Sequence, residues 1–181
     1  MARALARRAS ARGLEETTVL EIGGGIGQVL LELLKAGGSE GEVVEVVPDY
    51  EPHALALAAE AGLAGRATFR TADLVADPAA RRAADIVVLN KVVCCTPDGI
   101  ELAGIAGSLT RRTLVLSLPR DVWWTRAFFG SANLFLRLRR RSFRVFVHSP
   151  ERVRRAVEAH GLTLASERDG PLFRIVAFER A

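Results

Sequence analysis

Four of the five residues from Gly23 to Gly27 are glycine, and a carboxylate, Glu21, stands two places ahead of them. Residues without a Cβ let a ligand reach the backbone itself. A dinucleotide loop reads G-x-G-x-x-G, but here Gln28 takes the third glycine position. A pyrophosphate also seeks a helix N-terminus free of carboxylates. A phosphate loop would continue Gly-Lys-Ser/Thr, and this one does not. The actual spacing is Gly23-x-Gly25-x-Gly27 behind Glu21, which tolerates a ligand carrying positive charge. Two further acids follow. Glu45 lies near the end of the apolar stretch "VVEVV", where a strand-end carboxylate accepts hydrogen bonds from ribose hydroxyls. Asp73, in "TADL", is placed to accept from an adenine amino group or to cap the turn, with Val46 and Leu74 as apolar walls for the ring.

Alternating elements must hold these groups. "TTVLEI" (17–22), "EVVEVV" (42–47), "RATFR" (66–70), "DIVVLN" (85–90) and "RTLVLSL" (112–118) read as buried strands. Helical spacing occupies 26–38, 51–63, 98–109 and 150–162, with Pro52 in a first turn and Ser149 as an N-cap. "LTLASER" (162–168) and "LFRIVAFER" (172–180) form a terminal antiparallel pair around Asp169-Gly170-Pro171. Strands alternating with helices predict an α/β fold with a parallel sheet covered on both faces. Met1–Glu16 form a short N-terminal segment, a frayed helix at best. Residues 17–181 form one domain, with 119–148 as an insertion at the sheet's carboxyl edge.

Glu21-Ile22-Gly23-Gly24-Gly25-Ile26-Gly27, Glu45, Asp73 and "DIVVLN" together resemble the class I methyltransferases that use S-adenosylmethionine (SAM). The resemblance covers 17–181. "VVCCTPD", "LPRDVWWTR" and "RRRSFRVFVHSPE" look like bacterial methyltransferase-domain proteins of undefined substrate, and the C-terminal layout is loosely similar to magnesium-protoporphyrin O-methyltransferases. It implies a Rossmann-like seven-stranded sheet of order 3-2-1-4-5-7-6 with strand 7 antiparallel. It implies SAM as cofactor, held by Glu21, Gly23, Gly25, Gly27, Glu45, Val46, Asp73, Leu74 and Asn90. Donor and acceptor would meet at "LNKVVCC" (89–95). Such enzymes carry helices ahead of the first strand that shield the cofactor, so a groove open on that side is expected here.

On the acceptor side, Arg120 and Arg126 are candidates to position a carboxylate, and His148 or Asp121 to act as base for a hydroxyl or amine. Trp124 and Cys94 are expected in the pocket wall. The aromatic-to-basic stretch 122–141 reads as a lid helix with its apolar face over the pocket, or as a contact for a membrane surface. The acceptor is expected to be a small molecule, methylated on oxygen or on a carboxylate. A non-catalytic SAM-fold interaction module and a nicotinamide-dependent oxidoreductase are the alternatives, and Gln28 and Glu21 oppose the second.

The 181 residues carry a formal charge of +4, almost all of the positive charge as arginine, with lysine only at Lys35 and Lys91. No nucleic-acid-binding module accompanies that charge, and "NKVVCC" lacks the Asn/Asp-Pro-Pro-Tyr pattern of base methylation. His53, His148 and His160 are too scattered to suggest a metal. The adjacent cysteines Cys94 and Cys95 have Cα atoms ~3.8 Å apart, below the ~4.4 Å a disulfide needs. Free thiols and a cytoplasmic location follow as expectations. The oligomeric state is left open.

Overall fold

The computed structural model describes residues 2–11 and 13–181. Seven strands form one sheet: β1 (Thr18–Ile22), β2 (Glu40–Glu45), β3 (Ala67–Thr71), β4 (Ala84–Leu89), β5 (Thr110–Pro119), β6 (Leu162–Asp169) and β7 (Phe173–Arg180). Their order is β3-β2-β1-β4-β5-β7-β6. Strands β1 to β5 run parallel, and β7 is antiparallel to both β5 and β6. This is the expected sheet.

Strand residues alternate between two cores, as a strand's period of two requires. Leu20, Ile22, Val44, Val87, Leu89, Leu114 and Leu116 face one cluster, closed by α4 (Gly99–Leu109) and α6 (Pro150–Glu158). Val19, Val43, Ile86, Val88 and Val115 face the other, closed by α2 (Gln28–Lys35), α3 (Glu51–Glu60) and α1 (Ala2–Ala9). Pro52 does sit in the first turn of α3. Ser149 holds the N-cap position of α6 but makes no side-chain capping bond.

Helix α1 corrects the reading of Met1–Glu16 as a frayed segment apart from the domain. Leu5 is wholly buried, with Ala6 and Ala9 beside it. They pack on α2 and β5, and Arg8 reaches across to donate to Ser166 Oγ at 3.1 Å. An eight-residue helix is marginal alone, but here tertiary packing of one face supplies the stability that length does not. The remaining helix, α5 (Trp123–Leu138), extends the chain directly beyond β5. An extended strap, 141–149, returns from it. Asn133 clamps that strap by donating to Val145 O at 2.8 Å and accepting from Val145 N–H at 2.9 Å. Phe146 N–H donates to Cys94 O at 2.8 Å, tying the strap to the turn after β4.

Candidate active site

A cavity of about 260 Å3 opens at the carboxyl ends of β1, β2 and β3. A larger hollow of about 380 Å3 lies at the opposite, amino edge, around Thr18, Glu40 and Arg111. Ligands of open parallel sheets bind at the carboxyl edge, where loops diverge at a switch in strand order. Here β1 is followed on one side by β2 and on the other by β4, and the smaller cavity sits at that place.

Gly23, Glu45, Val46, Asp73 and Leu74 all line it. Gly23 has φ 62° and a Cβ there would lie 2.2 Å from Val92 Cγ2, so the position accepts no larger residue without moving the groove wall. Gly25 has φ 56° and open space where its Cβ would be. The loop is fixed by Glu45. Its carboxylate accepts from Gly25 N–H at 3.0 Å, from Val46 N–H at 2.8 Å and from Val47 N–H at 3.2 Å. Asp73 caps its turn: Oδ1 accepts from Val75 N–H at 2.9 Å and from Ala76 N–H at 3.3 Å, while the residue stays in the groove wall. Gly27, at φ 76°, starts α2 and does not line the cavity.

Glu21 is not a groove residue. It is 1% exposed and faces away from the cavity, under Gly24, whose Cβ would fall 2.7 Å from the Glu21 side chain. Its Oε2 accepts from Leu30 N–H at 2.7 Å, at the start of α2. Burial raises its pKa from the ordinary 4.5 to about 7; the Leu30 and Val29 amides pull it down and the Glu45 charge pushes it up. By spacing alone Glu21 belongs at the ligand, because a carboxylate there suits a cation. In the fold it instead occupies the helix-start amides that a pyrophosphate would need.

Residues 1–167 match the sequence profile of a family described as a methyltransferase domain. The chain belongs to that methyltransferase family. Its methyl donor is SAM. No curated protein matches the sequence. Among solved structures, the magnesium protoporphyrin IX methyltransferase of Synechocystis PCC 6803 with bound SAH superposes at TM-score 0.79 and 19% identity, covering 99% of this chain and 81% of that one. An O-methyltransferase family protein from Burkholderia thailandensis superposes at 0.80 and 21%, covering 100% of this chain and 55% of that one. The (4+2)-cyclase SpnF shares the fold as well, at 0.70 and 14%, covering 99% and 80%. At such identities the likeness concerns fold, and SpnF shows that fold alone does not set the reaction.

The methyltransferase places its acceptor-side candidates differently from the sequence expectation. Cys94 is 3% exposed and lies in the core, whereas Cys95 lines the groove with Val92 and Thr96. Both thiols donate to Lys91 O, at 3.4 and 2.9 Å. Both are free, as expected. Hydrogen bonding with Cys95 and burial push the Cys94 thiol far up, which makes it no nucleophile. His148 Nε2 lies 3.0 Å from Thr96 O, and a carbonyl can only accept, so Nε2 carries the proton. The ring stacks on Phe146, 6.1 Å away, and does not line the groove.

Asp121 is no free base either. Its two oxygens accept from Arg126 Nε and, at 3.0 Å, from Arg126 Nη2, and this pairing lowers its pKa. Each partner thus engages the other. Asp121→Asn is therefore expected to leave turnover and its pH profile unchanged in a steady-state assay; a large fall in turnover with loss of the acidic limb would return Asp121 to the mechanism. Trp124 and the rest of 122–141 do not line the groove. Arg120 turns to the β6–β7 side, with Nη2 3.4 Å from Asp169 Oδ2.

Two residues near the groove escape sequence reasoning. Ser117 is fully buried on β5; its Oγ accepts from Lys91 N–H at 2.8 Å and meets Asn90 Oδ1 at 3.5 Å. Asn90 itself does not line the cavity. Lys91 adopts φ 61°, rare for a residue with a side chain, and places its ammonium 5.5 Å over the Phe173 ring. A lone serine inside "RTLVLSL" is the available signal, since a buried hydroxyl needs a partner.

Proposed function

We propose that this methyltransferase acts on a small molecule and that the accepting atom is a carboxylate oxygen. The observation that carries the proposal is the state of the potential bases. Among the described residues, Asp121 is paired with Arg126, Cys94 is buried with a raised pKa, and His148, whose Nε2 donates to Thr96 O, does not line the groove. Cys95 does line it, with a pKa lowered by its hydrogen bond with Cys94, but its thiol is engaged with Lys91 O at 2.9 Å. A carboxylate acceptor needs no base, whereas a hydroxyl does.

The groove fits SAM. Gly23 lines the groove against Val92, Gly25 leaves open space over its backbone, and Glu45 presents a carboxylate at the end of β2 for ribose hydroxyls. Asp73, with Val46 and Leu74, suits the adenine. Asn90 follows the end of β4, where it is available to the amino-acid portion. The bound cofactor supplies a methyl group activated on a sulfonium. The chain's own part is alignment and exclusion of water. Lys91, next to the groove residue Val92, carries a positive charge at the end of β4 that suits an anionic acceptor.

Incubation with methyl-labelled SAM and matched carboxylic and hydroxylic acceptors tests this. The expected product is a methyl ester that releases its label in mild alkali. Label that survives alkali, as in an ether, contradicts the carboxylate assignment.

A further inference from the structure

Helix α5 buries only a narrow stripe. Thr125 and Phe129 are buried, and Ala132, Asn133 and Leu136 are half-buried behind them. The opposite arc is apolar too. Trp123, Ala127, Leu134 and Leu138 fall in one row at helical spacing, with Trp124, Phe128 and Phe135 alongside. Trp123 is 80% exposed and Leu138 75%. A surface helix of a globular domain normally carries polar residues there. An apolar face of this extent marks a place where something else binds.

The charge says what binds. From Val122 to His148 there are six arginines and neither Asp nor Glu. Arg126 is held by Asp121, and Arg144 donates to the carbonyls of Arg141 and Phe143. Arg137, Arg139, Arg140 and Arg141 cluster at the C-terminal end of α5, all exposed, with Arg139 over the Phe135 ring at 5.1 Å. We propose that α5 is a docking helix that lies in the surface of an anionic lipid bilayer, its Trp, Phe and Leu row among the acyl chains and its terminal arginines on headgroup phosphates.

Acyl chains accept any apolar shape, and phosphates accept from guanidinium groups. The 16 residues of α5 reach only about 24 Å, short of a bilayer's ~30 Å core, so the helix lies along the surface. No helix among the described residues is long and apolar enough to cross a membrane. This inference stands apart from the methyl-transfer reading and shares no residue with the groove.

The chain's two tryptophans, Trp123 and Trp124, both sit on α5, so their fluorescence reports docking directly. The full chain should co-sediment with phosphatidylcholine vesicles containing phosphatidylglycerol, with a blue shift in emission, and much less with phosphatidylcholine alone. Two variants alter only exposed positions and so keep the fold. Leu134→Ser with Leu138→Ser, and Arg139→Gln with Arg140→Gln and Arg141→Gln, should each weaken vesicle affinity by roughly tenfold or more. Equal binding to neutral and anionic vesicles overturns the headgroup assignment. Absence of vesicle binding overturns the proposal outright, and self-association relieved by the serine variant would then identify a second copy as the occupant.

Discussion

Glu45→Ala will weaken SAM binding by roughly a hundredfold or more. Two hydrogen bonds from ribose hydroxyls to a carboxylate contribute ~1.5–3 kcal/mol each, and every ~1.4 kcal/mol is a factor of ten in affinity. The side chain also holds Gly25, Val46 and Val47 through their amides, so part of the loss will come from a loosened loop. A double-mutant cycle with the ligand separates the two contributions. A 2′-deoxyribose analogue of S-adenosylhomocysteine should bind the wild-type chain weakly, and Glu45→Ala should then lose less for that analogue than for the parent. Calorimetry on both proteins gives the four constants. If the folded variant binds the parent ligand as tightly as wild type, Glu45 has no part in the site.

Glu21 predicts the second large effect, on stability. Its folded pKa is about 7 against an ordinary 4.5, so between these values the native state binds a proton that the unfolded chain does not. Stability from this group is complete below about pH 4.5 and is lost as pH rises through 7, by roughly 3 kcal/mol in all. Glu21→Gln keeps an oxygen for the Leu30 amide and cannot ionise. The variant should match wild type near pH 4 and exceed it by roughly that amount at pH 8, in urea unfolding at both values. Parallel pH dependence in the two proteins would show that Glu21 does not titrate in this range.

The fold is legible because a buried parallel strand leaves a plain trace: a short apolar run between helices whose spacing marks one face. The sheet order itself comes from the family resemblance. Sequence does not show which side of an amphipathic stripe meets the protein. α5 has apolar residues all round, and only the packing of Thr125 and Phe129 reveals that Trp123 and Leu138 point outward. α1 misleads for the opposite reason. Its Ala/Arg pattern is weak alone, and Leu5 gains its burial from α2 and β5, which are distant in sequence.

The site divides along the same line. Groups on the backbone path of the loop, and acids at strand ends, are read from spacing, so Gly23, Glu45 and Asp73 reach the groove. A side chain's partner is not read from spacing. Glu21 and Glu45 lie on neighbouring strands, yet one turns inward to α2 and the other holds the groove loop. Cys94 and Cys95 are adjacent in a turn, and one residue's step exchanges core for groove. Asp121 and Arg126 look like two functional groups and cancel as one ion pair.

The central claim is that the glycine loop, Glu45 and the helix start closed by Glu21 make a SAM site and exclude a pyrophosphate. Titration calorimetry of the purified chain with SAM, and separately with NAD, tests it most directly. One equivalent of SAM should bind with measurable heat, and NAD should give none at the same concentrations. Binding of NAD with silence toward SAM would contradict the account.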